Sequence, residues 1–246
     1  MLMGAPNWMF QTDLPDDIIS NSLRFDDGDN ARLSKTLSSA GNRKIYTISW
    51  WMKRANTGEN TVLSAPINSS TNGFSIYFPS DKMEIFEYKD TGQSAYWKFT
   101  TDMVFRDTTN WYHCVFYWQT DTYSSDADSI RLYVNGSQVT GSFTGSVGAD
   151  YESLCWNNTY THYIGGNRAS SSNFDGYLAE FNFVDGQALT PTSFGREVNG
   201  VWIPKDTSGL TFGTNGYRLQ FKQTGTGTAS ASTIGADTAN TNHYTS

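Results

Sequence analysis

From Ser20 onward the chain alternates apolar and polar positions with the two-residue period of a β-strand. The clearest run is Tyr46-Thr47-Ile48-Ser49-Trp50-Trp51-Met52-Lys53. It places Ile48, Trp50 and Met52 on one face and Thr47, Ser49, Trp51 and Lys53 on the other. Residues 111–119 form the longest aromatic strand, and Ile130-Arg131-Leu132-Tyr133-Val134 runs into Asn135-Gly136, a strong hairpin signal. Further strands are expected at 22–25, 61–65, 73–78, 82–88, 96–101, 163–166 and 217–221. In 177–184 the apolar face reads Tyr177, Ala179, Phe181 and Phe183. Only Thr190-Pro191-Thr192-Ser193-Phe194-Gly195 reads as helical, for about one turn, with Pro at the first position and Gly as the stop. Many short strands separated by Gly, Asn and Ser turns predict an all-β, two-sheet antiparallel sandwich of the jelly-roll type over residues 20–222.

The two ends differ from this pattern. Residues 1–19 carry Trp8, Met9 and Phe10 without strand alternation and read as an arm that docks on a partner. Residues 223–246 are rich in Gly, Thr and Ser and read as a linker or a poorly packed extension.

Composition narrows the partners. With 17 Lys and Arg against 24 Asp and Glu, the chain has a net charge of −7, which gives no electrostatic footprint for nucleic acid. No run approaches the roughly 18 apolar residues of a membrane helix, so no membrane insertion is expected. The first residues have neither a basic segment nor a long apolar one, so no signal peptide is expected. Cys114 and Cys155 make no disulfide framework and read as free buried thiols of a protein made in a reducing cytoplasm.

Three ordered blocks carry a family resemblance. The first is Ser22-Leu23-Arg24-Phe25 with Ile48-Ser49-Trp50-Trp51-Met52-Lys53. The second is Trp111-Tyr112-His113-Cys114-Val115 with the 130–136 hairpin strand. The third is Tyr163-Ile164-Gly165-Gly166, then Phe174-Asp175-Gly176-Tyr177-Leu178-Ala179-Glu180-Phe181, then Ala188-Leu189-Thr190. Together they resemble the laminin-G-like, concanavalin-A-like jelly roll across roughly residues 20–200. The stretches 183–195, 199–205 and 234–240 are similar to a group of such domains in marine tailed bacteriophages. That resemblance implies a virion structural protein, synthesised in the host cytoplasm and carried on the virion surface. It would be a capsid decoration, head fibre or tail fibre component, with other virion proteins and copies of itself as partners. Many such proteins continue with further domains beyond the equivalent of Asp237, so the sequence is expected to be either a piece of a longer protein or a minimal member.

The chemistry expected from the residues is sparse. Glucanases of this fold need two carboxylates on one strand face, about 5–5.5 Å apart. Here the nearest set, Glu84-Ile85-Phe86-Glu87, spaces its acids so that a regular strand sends them to opposite faces. His113 beside Cys114 is a poor nucleophilic couple for the same reason. The chain is therefore expected not to be an enzyme, with a glycoside hydrolase as the most distant alternative. The nearer alternative is a host-attachment module that binds a host-surface glycan. Its candidate residues are Trp97, Tyr123, Tyr151 and Trp156 with Asn157, Asn158 and Arg168, although the same aromatics suit a core or a subunit interface. No cofactor is expected; calcium is the alternative, through the 26–30 loop or through Asp121, Asp126 and Asp128. The same residues also suit ordinary turns.

Overall fold

The computed structural model describes residues 19–67, 73–88, 95–169 and 172–246. The expected arm residues Trp8, Met9 and Phe10 lie outside the described residues. In chain order the first eight strands are β1 (Leu23–Phe25), β2 (Leu33–Thr36), β3 (Ile45–Arg54), β4 (Asn60–Pro66), β5 (Gly73–Phe78), β6 (Lys82–Tyr88), β7 (Ala95–Val104) and β8 (Tyr112–Gln119). After a short helix, α1 (Asp126–Ser129), come β9 (Ile130–Val134), β10 (Ser137–Gln138), β11 (Gly141–Gly145) and β12 (Thr161–Ile164). The chain ends through β13 (Gly176–Asp185), a 3₁₀ turn (Pro191–Ser193), β14 (Gly195–Val198), β15 (Val201–Pro204) and β16 (Tyr217–Leu219). The helical stretch expected at 190–195 is thus the 3₁₀ turn; α1, β2, β11 and the β14–β15 hairpin carried no signal strong enough to be expected. Among the described residues no helix is long and apolar enough to cross a membrane.

Two seven-stranded antiparallel sheets face each other. The first runs β1-β13-β3-β8-β9-β10, with β16 also pairing β13, and the second runs β11-β7-β6-β5-β4-β12-β2. Alternation decides what goes between them. From the first sheet Ile48, Trp50, Met52, Cys114, Phe116 and Trp118 point inward, each fully buried. From the second, Phe74, Ile76, Phe78, Met83, Ile85 and Trp97 meet them, also fully buried. Rings pack at tilted angles across this layer; Trp97 lies 5.2 Å from Trp118, and Phe74 lies 5.9 Å from Phe116.

Strand β13 departs from the simple alternation. Its pairing with β3 shifts register between Ala179 and Asn182, and Glu180 takes a positive φ of 41°. The bulge turns the side chains over. Leu178, Phe181 and Phe183 face the core, while Tyr177 is 38% exposed on the outer face. The expected apolar face of Tyr177, Ala179, Phe181 and Phe183 is therefore corrected; only its second half points inward.

Part of the outer face of the first sheet, away from exposed Tyr177, is covered by the chain that follows β13. Val115 and Val184 pack beneath Phe194 and Phe212 in a second apolar cluster. Trp202 of β15 stacks over His113 at 6.0 Å and donates its indole N–H to His113 Nδ1 at 2.8 Å. Added Cβ atoms at Gly136 and Gly195 would come within 2.6 Å of the Trp202 ring, so both glycines make room for it.

The C-terminal extension is packed, contrary to the linker reading. Tyr244 is fully buried in the main core, 4.9 Å from Tyr217. The Asp237 carboxylate accepts backbone N–H bonds from Arg218, Ala239, Asn240 and Asn242. Thr245 then pairs with Ser34 at the edge strand β2. A few buried anchors in a polar segment give it a fixed path, which low hydrophobicity alone does not reveal.

Candidate functional site

The outer face of the second sheet carries a different surface. Strand β5 sends Phe74, Ile76 and Phe78 inward, so Ser75 and Tyr77 point outward. Strand β6 sends Met83, Ile85 and Glu87 inward and Glu84, Phe86 and Tyr88 outward. Register places Ser75 opposite Phe86 and Tyr77 opposite Glu84. The result is a cleft of about 210 Å³ lined by Tyr77, Glu84, Phe86 and Tyr88, with Ser64, Ser75 and Asn167 among its polar walls. Phe86 forms its floor at 6% exposure, 4.5 Å from the Tyr88 ring and 6.3 Å from the Tyr77 ring.

The electrostatics of the cleft come from a few groups. Glu84 Oε1 accepts from Lys98 Nζ at 3.0 Å and from Thr100 Oγ1 at 3.3 Å. Among the described residues its second oxygen, Oε2, has no partner. Burial, and then the neighbouring Glu59 and Glu84 carboxylates, push the Tyr77 hydroxyl well above the usual phenol range. Burial likewise raises Tyr88. Both rings stay neutral hydroxyl donors at physiological pH.

The expected carboxylate pair falls on two sides of the sheet. Glu84 faces the cleft, whereas Glu87 is fully buried between the sheets. There its carboxylate accepts from Tyr151 Oη at 2.8 Å, Ser153 Oγ at 3.0 Å and the Cys155 backbone N–H at 2.9 Å. Burial raises its pKa against the pull of these donors. Glu87 is a tether for the 151–155 loop and cannot work with Glu84 on one substrate.

A Ser–His contact also exists, and its geometry excludes nucleophile activation. Ser49 Oγ lies 2.9 Å from His113 Nε2, in the buried interval under Trp202. An indole N–H can only donate, so the Trp202 bond makes Nδ1 the acceptor and leaves the proton on Nε2. His113 therefore donates to Ser49 and holds no lone pair for the serine proton. Burial lowers its pKa to about 3, which keeps the ring neutral. Cys114 points to the opposite, core side, where burial pushes its thiol up and leaves it inert.

Most of the expected glycan residues are structural, and the structure does not bring them together. Trp97 and Trp156 are fully buried core residues, so a glycan platform on them is corrected: neither ring reaches solvent. Asn157 is also fully buried, and that expectation is corrected too. Its amide donates to Asp185 at 2.7 Å and to the Asn42 carbonyl at 3.0 Å, and it accepts from Asn215 at 2.9 Å, tying three loops together. Asn158 bonds the Leu154 carbonyl. Tyr151 is half-buried, stacked on Tyr96 at 4.8 Å with its hydroxyl on Glu87. Tyr123 is half-buried beside Asp126. Arg168 is exposed and is the chain neighbour of Asn167, which lines the cleft.

The residues of the calcium alternative, Asp121, Asp126 and Asp128, sit around α1 and its flanking loops. Asp121 is exposed, Asp126 accepts from Ser146 Oγ and the Val147 N–H, and the Asp128 carboxylate accepts from the Ser124 and Ser125 hydroxyls while Ser125, the N-cap of α1, accepts the Asp128 N–H. The acids that do converge, among the described residues, are Asp26, Asp27 and Asp175, within 4.8 Å of one another. Arg24 already occupies that cluster, 2.7 Å from Asp175 and 3.6 Å from Asp26. Asn56 and the Gly28 N–H take further oxygens at 2.8 and 3.0 Å. The arrangement is an arginine clasp on a turn, with few oxygens left for a cation that needs six to eight.

The sequence matches a family described as the concanavalin A-like lectin/glucanases superfamily over residues 25–193. The chain belongs to that superfamily. No curated protein matches it. Among solved structures it is similar to a heptameric SAP-like pentraxin from Limulus polyphemus, at 18% identity and a TM-score of 0.46, over 65% of this chain and 71% of that one. It is also similar to the binding domain of botulinum neurotoxin serotype G, at 13% identity and a TM-score of 0.47, over 70% of this chain and 40% of that one. A third is the CBM40 of a Ruminococcus gnavus sialidase bound to α2,3-sialyllactose, at 10% identity and a TM-score of 0.40, over 61% and 88% of the two chains.

Proposed function

We propose that this chain is a non-catalytic carbohydrate-binding module whose site is the cleft on the outer face of the second sheet. One observation carries the reading: Phe86 and Tyr88, two aromatic rings 4.5 Å apart, line an open cleft beside Glu84 Oε2, which has no partner among the described residues. A sugar ring offers an apolar face of C–H groups and a rim of hydroxyls, and this cleft offers a ring surface and hydrogen-bonding groups beside it. On the first sheet Phe194 and Phe212 cover Val115 and Val184, and Trp202 covers His113. Membership of a superfamily that contains lectins supports the reading.

The test is titration of neutral oligosaccharides against the parent and Tyr88→Ala. We expect the variant to fold with an unchanged melting temperature and to bind about tenfold more weakly, a loss of about 1.4 kcal/mol. Unchanged affinity would remove the cleft from the proposal, and release of reducing ends by the parent would contradict its non-catalytic part.

We also propose that the module is a structural component of a phage virion, displayed on its surface. The similarity of residues 183–195, 199–205 and 234–240 to marine phage proteins supports this, and the folded segments formed by these residues help to cover the first sheet and anchor the C-terminus. On this reading residues 1–19 dock on another virion protein or on a second copy. Deleting residues 2–17 is expected to leave a folded domain absent from purified particles; normal incorporation would contradict the docking role.

A further inference from the structure

Resting on the carbohydrate reading of the cleft, we infer that the site selects uncharged sugar units and rejects carboxylated ones. The side chain that meets a ligand on the β6 wall is Glu84, whose Oε1 is used by Lys98 and Thr100 and whose Oε2 is open. An open carboxylate oxygen can only accept, so its ligand partner must be a donor such as a hydroxyl. A second carboxylate, Glu59, stands beside the Tyr77 hydroxyl and accepts from Ser172 Oγ at 2.8 Å; Tyr77 and Ser172 both line the cleft.

Two cations near this surface, Lys98 and Arg32, are already engaged. Lys98 holds Glu84 at 3.0 Å. Arg32 stacks over Tyr163 at 5.3 Å and donates to the Asn167 carbonyl at 2.8 Å. A uronate or other carboxylated sugar seated on Phe86 and Tyr88 would bring its charge against Glu84, whose neighbouring cation, Lys98, is already paired to that same carboxylate. Partial burial makes that repulsion stronger than it is in open water. A neutral hexose places a hydroxyl there and donates to Oε2.

The experiment uses matched tetrasaccharides that differ only in oxidation at C6: cellotetraose against tetraglucuronate, mannotetraose against tetramannuronate, and galactotetraose against tetragalacturonate. Each is titrated calorimetrically into the parent protein and into Glu84→Gln. We expect at least one neutral sugar to bind about tenfold tighter than its uronate. Glu84→Gln keeps the shape, removes the charge and frees Lys98, so the gap should close to about threefold or less, mainly through tighter uronate binding. Equal or tighter uronate binding by the parent overturns the charge selection while leaving the carbohydrate reading in place. A gap that persists unchanged in Glu84→Gln also overturns it, because the discrimination then comes from elsewhere. Failure of all six sugars to bind sinks both, and a Tyr88→Ala control on any sugar that binds shows whether the cleft is the site.

Discussion

His113 and His162 show how much one side chain can determine. Both are almost fully buried, and both keep a lone pair for a buried donor: His113 for the Trp202 indole, His162 for the Asn157 backbone N–H at 3.0 Å. Burial lowers their pKa values to about 3 and about 4. An unfolded histidine takes up its proton near pH 6.5, so between that pH and the folded values the unfolded chain binds more protons. Stability must therefore fall as pH drops from about 6.5 towards 4, by up to about 1.4 kcal/mol per pH unit for each ring. Glu87 acts in the opposite sense, since its raised pKa lets the folded state bind a proton first as pH falls through the range above 4.5. Melting temperatures across this range should slope downward with acid, and the slope should flatten in His113→Gln and His162→Gln even though both variants start less stable. An unaltered slope in both variants would show that other groups set the acid sensitivity. At this scale the sequence is informative about alternation but silent about burial depth. The period-two rule sends Glu84 and Glu87 to opposite faces, as observed, yet nothing in the residue types says that Trp97, Trp156 and Asn157 lie under other chain segments.

Strand β13 shows where element-level patterns fail. It pairs with β1 along Gly176–Leu178 and with β16 along Phe181–Phe183, on the same edge. The bulge at Glu180 sits where the edge partner changes, and the Glu180 carboxylate binds Arg218 of β16 through Nε at 2.9 Å. One extra residue inverts the faces, so an apolar pattern read with an unbroken period assigns Tyr177 to the core wrongly. We expect Phe181→Ala to cost about 3–5 kcal/mol, because the ring is fully buried against Trp50 and Tyr217. Tyr177→Ser, on the open face, should cost about 0.5 kcal/mol or less beyond its loose contact with Trp111. Equal losses in denaturant titrations would contradict the bulge. Strands β5 and β6 alternate without interruption, and the cleft was legible there in principle: Ser75, Tyr77, Glu84, Phe86 and Tyr88 are the alternate positions of two adjoining strands. What concealed it was their mixed aromatic and polar character, which resembles neither a plain core face nor a plain solvent face.

For the whole molecule, the chain beyond the sandwich decides which surface remains open. The segment from Gly186 to Phe212 covers part of the first sheet, and the C-terminal extension returns across to β2, where Tyr244 enters the core and Thr245 pairs with Ser34. Tyr244→Ala should therefore cost about 3–5 kcal/mol, whereas a mere linker would leave the melting temperature unchanged. With part of one face covered by its own chain, the aromatic and polar cleft of the other is the recognition surface on the proposed reading. The direct test is a crystal structure of the protein with the tightest-binding neutral oligosaccharide. A sugar ring is expected against Phe86 and Tyr88 with a hydroxyl on Glu84 Oε2; a sugar seated away from the second sheet, at Tyr123 or over the Trp202 hairpin, would contradict the assignment of the cleft.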